Sequence, residues 1–131
     1  MFSTGLQLII VIIYLFKFLE RINAKKGDYS HHMAKMVVSL SVTPLGTGST
    51  HLSSYVRAAT EVLRELGVKY RTAAGFTDIE LDDYATLAEI LKRIEARLEA
   101  MGVKRLDYII KIDRRMDQEL TIEGKIAKVE R

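Results

Sequence analysis

A chain of 131 residues has room for one domain of about 100 residues and an extension, and too little for a multidomain enzyme. With no cysteine, disulfides, thiolate catalysis and cysteine-ligated zinc or iron–sulfur centres are excluded; with Gln7, Asn23 and Gln118 as its only amides and 28% charged residues, the composition leans towards a thermophilic source. The net charge of +3 is spread thinly, since residues 34–131 hold 16 basic residues against 15 acidic, which leaves no basic face for nucleic acid.

Residues 6–19 are apolar except for Gln7 and Lys17. Counted from Phe2, this segment offers 18 residues, or about 27 Å as a helix, borderline for a hydrocarbon core of about 30 Å. No positive residue precedes it and no small-x-small site follows, so a signal peptide fits poorly and the domain is expected in the cytoplasm. Three readings stand for residues 1–35: an extension before a domain whose natural start is Met33 or Met36, a helix packed within an oligomer, or a membrane anchor through residues 2–19. In the last, the basic residues Lys17, Arg21, Lys25 and Lys26 hold the domain on the cytoplasmic side. His31 and His32 are adjacent, not spaced i, i+4 on one helical face, and read as a linker feature and not a metal site.

The domain proper, residues 36–131, opens on a strand over 37–43. Val38, Leu40 and Val42 alternate there with Ser39, Ser41 and Thr43, so a row of small hydroxyls shares one face. Hydroxyls donate and accept, which suits a polar heteroaromatic ligand or closely approaching backbones. Pro44, the only proline, is expected to end the ladder. Gly46-Thr47-Gly48-Ser49 then forms a strand-to-helix connection, where turn chemistry competes with a weak phosphate-loop signal.

A helix with Ser53 or Ser54 as N-cap follows, its Tyr55, Ala59, Val62, Leu63 and Leu66 on one side. Strands over 68–73 and 76–81 are joined tightly at Ala74-Gly75, and Asp83 then caps a helix with Leu87, Ile90, Leu91, Ile94, Leu98 and Met101 on one side. The run from Leu63 to Lys69 echoes 35 residues later from Leu98 to Lys104: an amphipathic end, a glycine cap, a strand start. With a last strand over 105–113 the order is β-α-β-β-α-β, an α+β, ferredoxin-like fold. It implies a four-stranded antiparallel sheet with two helices on one face and the other face open. Thr121 caps a short C-terminal helix whose Ile122, Ile126 and Val129 stripe is too small to fold alone, so it is expected to dock on its own sheet or on a neighbouring copy's, with the neighbour favoured.

No nucleophile–base constellation is present: His51 is the only histidine within the domain and reads as a helix-start residue, and Asp78 and Glu80 stand i, i+2 on a strand, a very common spacing. The chain therefore reads as a non-enzyme without cofactor or metal. Glu80, Lys111, Asp113, Arg114 and Arg115 gather near the hydroxyl strand as solvated, inter-subunit or ligand-facing charges.

Ser41-Val42-Thr43-Pro44-Leu45-Gly46-Thr47-Gly48, Thr77-Asp78-Ile79-Glu80 and Ile110-Lys111-Ile112-Asp113-Arg114-Arg115, together with the run from Glu119 to Lys125, resemble the small thiamine-binding protein family of ferredoxin-like domains. The resemblance covers residues 36–131 and leaves residues 1–35 without a counterpart. It implies binding of thiamine or its hydroxymethylpyrimidine part without chemistry, in homo-oligomers that are typically dimers of dimers joined through sheets and C-terminal segments. Phe76-Thr77 replaces the family's usual Gly-Thr pair, and Ala73 stands where a threonine is common. On this resemblance Ser39, Ser41, Thr43, Thr47 and Thr77 supply hydroxyls on the open sheet face, Glu80 pairs with an aminopyrimidine, Phe76 offers a stacking face and Lys111 lies alongside. The alternative is an assembly protein whose sheet face serves only oligomerisation.

Overall fold

The computed structural model describes residues 4–28 and 34–130, and the chain divides into two units, residues 1–31 and 32–131. The first unit is helix α1 (Thr4–Asp28). Its unbroken apolar run, residues 8–16, is nine residues or about 13 Å long, less than half a hydrocarbon core of about 30 Å. Among the described residues no helix is long and apolar enough to cross a membrane, which corrects the spanning anchor entertained for residues 2–19. His31 and His32 lie outside the described residues, as does Met33.

In the second unit the elements are β1 (Met36–Leu45), α2 (Ser53–Leu66), β2 (Tyr70–Thr72), β3 (Thr77–Leu81), α3 (Tyr84–Ala100), β4 (Arg105–Arg114) and α4 (Ile122–Val129). The strands form one antiparallel sheet in the order β2-β3-β1-β4, the ferredoxin-like arrangement. Period-two alternation sorts β1 cleanly. Met36, Val38 and Leu40 are buried on the helix-facing side with Ile79 and Leu81 of β3. Period 3.6 sorts the helices: Ala59, Val62, Leu63 and Leu66 of α2 and Leu87, Ile90, Ile94 and Leu98 of α3 are buried, as their spacing predicts. Met101, at the end of the second stripe, is exposed.

The sequence echo has a single geometric meaning at both helix ends. Val68 N–H donates to Leu63 C=O at 3.3 Å, and Val103 N–H donates to Leu98 C=O at 3.1 Å, each closing a turn that Gly67 or Gly102 makes at positive φ. Asp83 caps α3 by accepting from Thr86 N–H at 2.7 Å, and Thr121 caps α4 by accepting from Gly124 N–H at 3.0 Å. The cap expected at Ser53 or Ser54 is instead Leu52, without a side-chain bond, and both serines lie inside the first turn.

Pro44 does not end the ladder. Pairing of β1 with β3 stops at Leu40 opposite Thr77, but pairing with β4 runs on to Leu45 opposite Arg105. The proline therefore sits where β1 has a neighbour on one flank only, the situation in which a strand tolerates a missing donor. The turn comes at Gly46, with φ +73°.

Candidate functional site

The early end of β3 opens a gap beside residues 41–43 of β1. The β2–β3 connection crosses it as a tight turn in which Ala73 N–H donates to Phe76 C=O at 2.9 Å. Beneath the turn, α2 contributes Val56, Ala59 and Thr60, and α3 reaches in with Ile94. The result is a cavity of about 90 Å³ whose polar groups are Ser41, Thr60 and Thr77, with Phe76 and the Ala74-Gly75 backbone at its wall. Phe76 is 39% exposed, so a ring face is available at the mouth. The chemistry on offer is a small apolar slot with two hydroxyl-bearing side chains, Thr60 and Thr77, and the backbone of Ser41, suited to a flat polar ring.

The open sheet face is built differently. By register, Arg71, Asp78, Ser39 and Lys111 form one cross-strand row, and Ser39 Oγ donates to Asp78 Oδ1 at 2.5 Å. Ser41 and Thr43 continue the face opposite Ile109 and Asp107. At the other end α4 lies across it, packing Leu120, Ile122 and Ile126 on Val37. This corrects the expectation that the tail seeks a neighbour: within the described chain it docks on its own sheet. Glu80, with a side chain 9% exposed, accepts from Ile122 N–H at 2.8 Å and lies 3.7 Å from Lys69 Nζ. Lys69 also pairs with Glu123 at 2.8 Å, and Asp113 pairs with Lys125. Hydrogen bonding to these lysines holds the Glu123 and Asp113 carboxyls below their ordinary values, and hydrogen bonding to Glu123 holds Lys69 above its own. Two ion pairs thus link the tail to the rest of the domain, Lys69 with Glu123 and Lys125 with Asp113.

The eight residues singled out from sequence fall into three groups. Ser41, Phe76 and Thr77 meet at the cavity. Ser39, Thr43 and Lys111 lie on the open face, to which Thr77 is not directed, because its partner in register is the helix-facing Leu40. Thr47 turns back into its own loop, donating to Ser49 C=O at 3.2 Å, and Glu80 is engaged under α4. His51 donates its N–H to Ser49 Oγ at 3.1 Å. Sequence reasoning missed Thr60, although the spacing of Val56, Thr60 and Leu63 places one hydroxyl on an otherwise apolar helix stripe. Among the described residues no group of three His, Cys, Asp or Glu side chains converges as a metal site would require.

Comparison with known proteins agrees with this architecture. The family model described as thiamine-binding protein matches residues 38–130. A UPF0045 protein of Methanothermobacter thermautotrophicus is 37% identical over 94 residues, covering 72% of this chain and 95% of its own. The structure of a hypothetical protein from Methanocaldococcus jannaschii superposes with a TM-score of 0.64 at 35% identity, covering 75% of this chain and 98% of that one. A candidate thiamine biosynthesis/salvage protein from Thermotoga maritima superposes with a TM-score of 0.60 at 26% identity, over 72% of this chain and 98% of that one.

Proposed function

The chain belongs to the thiamine-binding protein family, and from that premise we propose that it is a non-enzymatic, homo-oligomeric binding protein for thiamine or a related pyrimidine such as hydroxymethylpyrimidine. The observation that carries this reading is the cavity where β3 leaves β1. It joins an aromatic face, Phe76, to the hydroxyl residues Thr60 and Thr77 and the backbone of Ser41, the donors and acceptors an aminopyrimidine edge needs. We place the ring there and not across the open face, because α4 covers one end of that face and Glu80 already accepts from Ile122. Ser39, Thr43, Thr47 and Lys111 then lie outside the ring's first contacts.

Calorimetry tests it. Hydroxymethylpyrimidine is expected to give saturable heat with the native chain, and Thr77→Val to weaken binding about tenfold, the worth of one hydrogen bond whose partner stays buried. No heat with either hydroxymethylpyrimidine or thiamine would end the proposal.

The oligomeric part rests on β4. This strand lies at the edge of the sheet, is ten residues long, and carries exposed Ile109, Ile110 and Ile112. A long edge with apolar side chains on both faces invites a second strand. Static light scattering is expected to give a mass above the monomer, and Ile110→Lys to reduce it. A scattering mass of one chain would remove this part and, with it, the rival reading in which the sheet serves assembly alone.

A further inference from the structure

The cavity beside β1 is walled by β1, α2, α3 and the connection from β2 into β3, and not one of the side chains that line it is ionisable. That neutrality is local. A second, larger hollow of about 490 Å³, between the last turns of α3 and the start of β4, is lined by Glu95, Glu99 and Lys104.

Register keeps the nearest carboxylates out of the first cavity. On β3, Asp78 stands opposite Ser39 and Glu80 opposite Val37, so both belong to the open sheet face, while Thr77 stands opposite the helix-facing Leu40. On that open face Asp78 accepts from Ser39 Oγ and Glu80 from Ile122 N–H. On α2 the charged Arg57, Glu61 and Arg64 fall between the lining positions Val56, Thr60 and Leu63. On α3 Arg93 and Arg97 pair with Glu89 and Glu65, and Ile94 alone reaches the cavity.

The polar groups inside suit a ring that accepts at its nitrogen and donates from its amine. Thr60 Oγ1 donates to Arg57 C=O at 2.9 Å, which commits its proton and leaves its oxygen as an acceptor for an exocyclic amine. The Thr77 hydroxyl is then the donor to a ring nitrogen. Protonation of that nitrogen, which aminopyrimidines undergo in mildly acidic water, turns the acceptor into a donor. It also brings a positive charge into an apolar slot with no counter-ion in its wall, and an unpaired charge is costly to desolvate.

We propose that the cavity selects the uncharged form of its pyrimidine and rejects the ring-protonated cation. This rests on the pyrimidine reading of the site and adds to it the charge state that is bound. The selection is the reverse of what pairing with a carboxylate on the open face, such as Glu80, would produce.

The test is calorimetry with hydroxymethylpyrimidine one pH unit above and one below the pKa of the free ring, with circular dichroism confirming the folded chain at both. Affinity is expected to fall about tenfold towards the acid side, in step with the fraction of uncharged ligand. At the pKa itself, heats compared in buffers of different ionisation enthalpy should show release of about half a proton per ligand bound. Val56→Glu places a carboxylate at the cavity, on an exposed position in the first turn of α2, where the helix dipole favours it. That variant is expected to flatten the dependence. Equal affinity at the two pH values, or tighter binding with proton uptake on the acid side, would overturn the selection and leave pyrimidine binding standing. A native pH profile in Val56→Glu would overturn it as well, since wall charge would then not be what selects. No saturable heat at either pH would overturn the binding reading and this inference with it.

Discussion

Ile94→Ala is expected to lower the free energy of unfolding by about 3–5 kcal/mol, the upper part of the range for truncating a buried isoleucine. Ile94 is fully buried on α3 and already borders the cavity beside β1 and the β2–β3 turn. A truncation there adds its volume to an existing void. The opposite walls are held by the β1–β3 ladder and by the Ala73–Phe76 turn, so they have little freedom to close over the vacancy. Urea denaturation with an unchanged slope would show the loss as pure stability. A loss under about 1 kcal/mol would mean that the walls collapse and that the cavity is soft.

Glu80→Ala is expected to release the C-terminal helix. The carboxylate is the acceptor for Ile122 N–H at the first turn of α4 and the inner partner of Lys69, so its removal strands one buried donor and unseats the Val37, Leu120 and Ile122 cluster. A stranded buried donor costs about 1–3 kcal/mol. Hydrogen exchange at Ile122 should accelerate accordingly, and Glu80→Gln, which keeps an acceptor, should recover much of the protection. The same variant decides where the ligand sits. Affinity for hydroxymethylpyrimidine should be unchanged if the ring lies in the cavity, while a loss would return the site to the open sheet face.

How much of this was legible in the sequence depends on whether a local pattern or a non-local meeting was being read. Helix stripes such as Ile90, Ile94 and Leu98, and the caps at Asp83 and Thr121, follow from spacing and from short-range hydrogen bonds, and they stand as read. Pro44 misled because its meaning depends on which flank of β1 still has a neighbour, and that is settled by where β3 stops. The tail misled for a related reason. A stripe of three apolar residues says that Ile122 needs cover but not whose, and the Glu80 carboxylate that fixes the answer lies 42 residues away. Of the candidate site, the sequence pattern named Ser41, Phe76 and Thr77, but as members of an open-face set. That Thr77 turns to the helix side and only the backbone of Ser41 borders the cavity depends on register, and Thr60 joins them from another element.

The repeated helix ending has a larger consequence. The same shift of 35 residues that carries Leu63 onto Leu98 and Gly67 onto Gly102 also carries Thr60 onto Glu95 and Ala73 onto Tyr108. Thr60 and Ala73 line the first cavity, while Glu95 and Tyr108 line the second. The domain thus presents one design twice: a helix beside a following strand, with a hollow between them whose character is set by two interchangeable wall positions. Where those positions hold a small hydroxyl and a methyl the hollow is neutral, and where they hold a carboxylate and a phenol it is charged. The contrast between the two hollows thus rests on side chains at equivalent positions, while the glycine-closed helix ends that frame them are the same.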